Sequence, residues 1–126
     1  MKLLLDTNVV LRWFADSPAL PDHIEAVIDD PANTILVSAA SAWEICTKVG
    51  IGKLPTGRAL CEDFKGYLQR NHFEALAITV EHGRMAGRMV GARKDPFDRM
   101  LAAPTLIENV PIVTNDVAIA PGKVRT

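Results

Sequence analysis

The sequence predicts an α/β fold, a parallel sheet with helices covering both faces. Short, unbroken apolar runs recur along the chain, at Leu3–Leu5, Ile35–Val37, Leu76–Ile78 and Pro111–Val113. Such runs, without polar alternation, suit strands buried on both sides. Stretches of helical length and period separate them, the pattern of strands joined by helical crossovers. Three of the runs stop abruptly in polar residues: Asp6-Thr7-Asn8, Ser38, and Thr114-Asn115-Asp116.

The first strand, Leu3–Leu5, leads into a short helix over 9–15 that carries Val10, Trp13 and Phe14. Pro21 suits a first helical position, so a second helix is expected over 21–30, ending at Asp29-Asp30-Pro31. Asn33-Thr34 and Ser38 bound the second strand, Ile35–Val37. A helix over 39–49 follows, with Ala42, Ile45, Cys46 and Val49 at helical spacing and Gly50 closing it. Leu60, Cys61, Phe64, Tyr67 and Leu68 predict one amphipathic helix over 58–71. After the third strand, Leu76–Ile78, a helix over 80–90 carries Met85, Met89 and Val90. Asp95-Pro96 opens the last helix, running to about Asn109, and Pro111–Val113 forms the fourth strand. Lys123–Thr126 is the candidate for a short fifth strand at the sheet edge. Pro104 falls inside the last helix, where a proline removes a hydrogen bond and costs about 3 kcal/mol, so a kink is expected near 100–104.

A length of 126 residues suits a single domain, 1–126, with a real hydrophobic core. The chain is 48% apolar and 23% charged, as ordinary globular proteins are, and its net charge of −1 gives it no overall basic field. Nucleic-acid binding would therefore need a local patch or a metal ion. Cys46 and Cys61 lack metal-type spacing and are expected as free buried thiols in a reducing compartment. The start meets Asp6 too early for a signal peptide, and no run approaches the roughly 20 apolar residues of a membrane span, so a cytoplasmic protein without membrane association is expected.

Open parallel sheets bind ligands beyond the carboxyl ends of their strands. Asp6, Asp116 and the start of the helix bearing Glu44 all fall there, and Asp98 sits in the first turn of the last helix. Each acid has a structural alternative. Asp6 suits a helix cap, and Asp98 a first-turn partner of the helix dipole. Glu44 stands at capping-box spacing from Ser41 and four residues before Lys48. Asp116 suits a turn. Capping, however, works equally well with Ser, Thr or Asn and does not call for an acid at every site. Two carboxylates about 5 Å apart repel by roughly 3 kcal/mol at an effective dielectric near 20, so a convergent cluster shifts its pKa values or holds a cation. Hard oxygen donors without clustered Cys or His point to Mg²⁺, or Mn²⁺, rather than zinc.

The same residues carry a family resemblance that spans essentially the whole chain. Leu3-Leu4-Leu5-Asp6-Thr7-Asn8-Val9-Val10-Leu11 is followed by Val37-Ser38-Ala39-Ala40-Ser41-Ala42-Trp43-Glu44-Ile45, Lys48 and Gly52-Lys53-Leu54-Pro55. Asp95-Pro96-Phe97-Asp98-Arg99-Met100-Leu101-Ala102 and Pro111-Ile112-Val113-Thr114-Asn115-Asp116 complete the series. In these segments the chain resembles the PIN-domain ribonucleases and, within them, the VapC-type toxins of toxin–antitoxin pairs. The resemblance implies a three-layer α/β/α domain with a central parallel sheet of four to five strands. It implies an Mg²⁺- or Mn²⁺-dependent endoribonuclease acting as a toxin, with an RNA substrate, a cognate VapB-type antitoxin and a homodimeric assembly. The matching positions place Asp6, Glu44, Asp98 and Asp116 in the catalytic site, with Asp6, Asp98 and Asp116 on the metal. Thr7 and Thr114 match hydroxyls that orient the acids, with turn chemistry as their alternative. Asp95 stands beside the site, best read as a cap.

Local cations must supply any attraction for RNA, and Lys48, Lys53, Arg93, Lys94 and Arg99 flank the acidic segments. Trp13 and Trp43 can stack on bases or fill the core, and core packing is expected, above all for Trp43 beside Ala42 and Ile45. No Ser/His/Asp or Cys/His set competes, since His23, His72 and His82 fall on or near helices away from the acids. The competing functions are a non-catalytic RNA- or protein-binding module and another metal-dependent phosphoryl-transfer enzyme. A phosphatase with an aspartyl nucleophile would need an Asp where Asn8 stands.

Overall fold

The computed structural model describes residues 1–89 and 95–114 and the backbone of residues 118 and 119. Strands β1 (Lys2–Leu5), β2 (Thr34–Ser38), β3 (Glu74–Leu76), β4 (Ile112–Val113) and β5 (Ala118–Ile119) form one sheet in the order β3-β2-β1-β4-β5. The first four are parallel, with Leu3 opposite Ile35, Val37 opposite Ala75 and Leu5 opposite Val113. The fifth runs antiparallel to β4. An edge strand thus exists, but at 118–119; the stretch 123–126 lies outside the described residues.

The period of two in each strand divides the apolar runs between two cores. Leu3 and Leu5 of β1, Ile35 and Val37 of β2 and Val113 of β4 point to one side. There they meet helices α1 (Thr7–Phe14), α2 (Asp22–Asp29), α3 (Ala39–Gly50), α4 (Arg58–Glu62) and α5 (Phe64–Arg70) through Val10, Ile24, Ile45, Leu60 and Leu68. Leu4, Leu36 and Ile112 point the other way, against Leu101 and Ala102 of α7 (Pro96–Ile107) and Met89, which follows α6 (Val80–Arg88). The three-layer α/β/α arrangement follows directly from unbroken runs whose successive residues serve opposite faces.

The single helix expected over 58–71 is two helices. Asp63 leaves the helical region at φ −143° and ψ 51°, and its carboxylate accepts a hydrogen bond from the Gly66 N–H at 3.2 Å, capping α5. Apolar periodicity continues across the break because both pieces face the same core, which is why the pattern hides it. A 3-10 turn, Pro55–Gly57, leads into α4. The helix α7 runs on through buried Pro104 to Ile107, and the Thr105 hydroxyl donates to the Ala102 carbonyl at 2.6 Å within that turn. Buried His82 serves α6 structurally: its Nδ1 accepts from the Thr79 N–H at 3.0 Å, while the Thr79 hydroxyl accepts from the His82 N–H.

The cysteines are not free. Cys46 on α3 and Cys61 on α4 form a disulfide with Cα atoms 5.5 Å apart, and both are partly exposed. Chain size and spacing argued for thiols; only the packing of α3 on α4 brings the pair into bonding geometry. For their sequence separation of 15, the chain-entropy model assigns the bridge about 3 kcal/mol. Cys46→Ser is therefore expected to lower the urea midpoint under non-reducing conditions and to match dithiothreitol-treated wild type; equal midpoints for variant and oxidised wild type would refute the bridge. No helix among the described residues is long and apolar enough to cross a membrane.

Candidate active site

The strand order reverses direction between β1 and β4, the crevice where open α/β sheets bind ligands. Asp6 leaves β1 at that point. Its N–H donates to the Val113 carbonyl at 2.9 Å and its carbonyl accepts from the Val10 N–H, so the backbone is held by both β4 and α1. Asp6 occupies the N-cap position of α1, yet its side chain makes no capping hydrogen bond. The capping alternative thus leaves the carboxylate without its expected work.

Burial pushes the Asp6 carboxyl up from the ordinary 3.8 to about 6. The Thr7 backbone N–H opposes this, the negative charges of Asp98 and Glu44 add to it, and the Arg12 guanidinium opposes it. Residues 6, 44 and 98, distant in sequence, therefore share one electrostatic pocket. Helix α3 brings in Glu44 on the turn after Ser41, and Asp98 enters from the first turn of α7. Asp95 caps α7 by accepting from the Phe97 N–H at 2.8 Å, the capping role expected of it.

A cation already stands in this pocket. Lys48 Nζ donates to Glu44 Oε2 at 2.5 Å, the i, i+4 pair read from the sequence. Its pKa is raised first by that hydrogen bond, while burial opposes and the charges of Glu44, Asp95 and Asp98 add. Lys48 thus faces three of the acids. Among the described residues no group of three His, Cys, Asp or Glu side chains is close enough to hold a metal ion. Asp116, the fourth expected acid, lies outside the described residues, as do Arg93 and Lys94. The groups that act on one another here, Asp6, Glu44 and Asp98, are hard carboxylates, and that chemistry fits Mg²⁺ or Mn²⁺.

Thr7 is buried, and its Oγ1 lies 2.9 Å from Ser41 Oγ of α3, a hydrogen bond that ties α1 to α3. Ser41 does not form the capping box with Glu44, because Ser38 is the N-cap and accepts from the Ala40 N–H. Thr114 is buried just beyond β4, beside the strand that holds Asp6. Lys53 is exposed after α3, and Arg99 is half-buried one residue past Asp98. Sequence reading passed over Arg12, the cation acting on Asp6; the only available signal was its place on the helix that Asp6 opens.

Of the two tryptophans expected in the core, one packs there. Trp13 is half-buried against the core, its indole N–H donating to Asn71 Oδ1 and its ring 5.7 Å from that of Phe73. Trp43 is 52% exposed and packs instead on Phe97 of α7, ring centroids 4.5 Å apart. Helix geometry explains this: Ile45, two positions on, takes the core-facing side of α3 and turns Trp43 outward.

The family model for the PIN domain matches residues 3–120. The fold is also similar to a crystal structure of VapBC2 from Rickettsia felis bound to a DNA fragment from their promoter. That likeness has a TM-score of 0.62 at 20% identity and covers 92% of this chain and 88% of that one. No curated protein matches the chain.

Proposed function

This chain belongs to the PIN-domain family, and from that premise we propose that it is a cytoplasmic, divalent-metal-dependent endoribonuclease. The whole chain forms one domain in this reading, which acts as the toxin of a toxin–antitoxin pair. The observation that carries it is Asp6: a carboxyl at the end of the central strand, free of capping duty, with a pKa raised to about 6 by burial and by Asp98 and Glu44. Buried acids with raised pKa values cluster at functional sites, and a bound cation would offset the repulsion from Asp98 and Glu44.

Asp6, Asp98 and Asp116 hold Mg²⁺ or Mn²⁺ in this reading. The bound ion supplies a lowered pKa for water and charge stabilisation at the phosphate in line displacement. Asp6 is kept in place by its backbone bonds to Val113 and Val10. Glu44, whose charge acts on Asp6, would accept the proton of the attacking water, with Asp116 as the alternative acceptor. Lys48, Lys53 and Arg99 give the RNA backbone its positive contacts, with Arg93 and Lys94 as further candidates. The partner in this reading is a VapB-type antitoxin, which the likeness to a VapBC2 complex supports, and the protein pairs as a homodimer.

The test is cleavage of a panel of structured and unstructured RNAs in Mg²⁺ and in Mn²⁺, with the new ends analysed. Products with a 5′-phosphate and a 3′-hydroxyl are expected. Tight binding of many RNAs without cleavage in either ion would instead make the protein a binding module.

A further inference from the structure

Two aromatic residues stand next to acids of the candidate site. Trp43 immediately precedes Glu44 on α3, and Phe97 immediately precedes Asp98 on α7, so each aromatic Cα lies about 3.8 Å from that of a site acid. The two rings meet at a centroid distance of 4.5 Å and a 58° tilt, bridging the helices that deliver those acids. Phe97 is half-buried, while Trp43 keeps 52% of its surface open. A large aromatic ring braced by a neighbouring ring and about half open to solvent can take a stacked base.

Charge favours a further source of affinity. The chain has a net charge of −1, and Lys48, one of its few cations at the site, is paired with Glu44. Electrostatic attraction alone is therefore a poor source of affinity for a polyanion, and stacking is the sequence-tolerant alternative.

Resting on the nuclease reading above, we infer that Trp43, braced by Phe97, is a stacking platform for an unpaired nucleobase next to the phosphate in the acidic pocket. The platform selects single-stranded segments, because a base inside a duplex keeps both faces covered by its neighbours. Trp43 is a positioning and specificity residue in this scheme and takes no part in bond cleavage.

The experiment compares wild type, Trp43→Phe and Trp43→Ala on a random-sequence 12-nucleotide RNA in Mn²⁺, free and annealed to its complement, following KM, kcat and indole fluorescence. Stacking of one base predicts a KM increase of roughly 5- to 150-fold for Trp43→Ala, with kcat little changed. Trp43→Phe should restore KM while abolishing the fluorescence quenching that single-stranded RNA causes in wild type. An oligonucleotide with abasic central positions should not quench. Because Trp43 is half-exposed, both variants should melt close to wild type. Equal KM for Trp43→Ala and wild type, or equal quenching by duplex, overturns the platform. So does weakened self-association of Trp43→Ala with unchanged KM, which would place the patch in a protein contact. Quenching without cleavage by wild type would sink the nuclease reading and leave the platform standing; cleavage that Trp43→Ala matches would do the reverse.

Discussion

Asp6→Asn is expected to lose about a thousandfold in RNA cleavage, roughly 4 kcal/mol of transition-state stabilisation, while melting higher than wild type in metal-free buffer at pH 7.5. The two effects share one cause. The Asp6 carboxyl titrates near 6 when folded against 3.8 ordinarily, so the folded chain binds this proton more tightly than the unfolded chain does. Its contribution is favourable below pH 3.8 and is lost as pH rises through about 6. Above that, the ionised, buried carboxylate burdens the fold by about 2–3 kcal/mol, at 1.36 kcal/mol per unit. Asparagine keeps the shape and cannot ionise. Metal-free Asp6→Asn should therefore gain roughly 8–11 °C at pH 7.5, with the gain vanishing as pH approaches 4. Melting curves in chelator at the two pH values check this. A variant that is inactive but no more stable at pH 7.5 would mean that the carboxylate carries no burden in the fold. A variant as active as wild type would remove Asp6 from the chemistry.

Chelation of divalent metal should abolish wild-type cleavage, again by a thousandfold or more, and readdition of Mn²⁺ should restore it. The same ion should stabilise the fold by about 2.7 kcal/mol at a hundredfold excess over its dissociation constant. Because metal and proton compete for Asp6, the apparent affinity should fall about tenfold between pH 7.5 and pH 5, where only about a tenth of the folded molecules carry the ionised carboxylate. Thermal shifts across a Mn²⁺ titration at both pH values, on wild type and Asp6→Asn, report this directly. Stabilisation that is independent of pH, or that survives in Asp6→Asn, would locate the ion elsewhere.

Lys48 adds a condition to both results. In the metal-free fold it neutralises Glu44 and faces Asp95 and Asp98, so part of the pocket's repulsion is already relieved. An ion bound near Asp6 and Asp98 must coexist with this ammonium or displace it.

Much of the fold was legible because its signals are local. The runs at Leu3–Leu5, Ile35–Val37 and Pro111–Val113 lie within or overlap observed strands, since unbroken apolar runs have only the two-sided interior of a parallel sheet to fill. The third strand begins two residues earlier than expected and includes Glu74 and Ala75, an edge position where apolar patterning fades. The break at Asp63 escaped because a side-chain cap competes with the helix at one residue, below the resolution of periodicity. Glu44–Lys48 was readable from its i, i+4 spacing alone. Asp116 falls outside the described residues, and its part in the site stands as proposed.

By itself, the sequence determined the strands, the crossovers and hence the end of the sheet at which Asp6, Glu44 and Asp98 gather. Strand and helix periods assign each residue a face, and parallel topology sends every strand's carboxyl end the same way. The tertiary structure decided the encounters between elements: Cys46 with Cys61, Thr7 with Ser41, Trp43 with Phe97 instead of with the core. Those depend on how helices rotate and stack against one another. That is set by the summed packing of both cores, and no single stretch of chain encodes it.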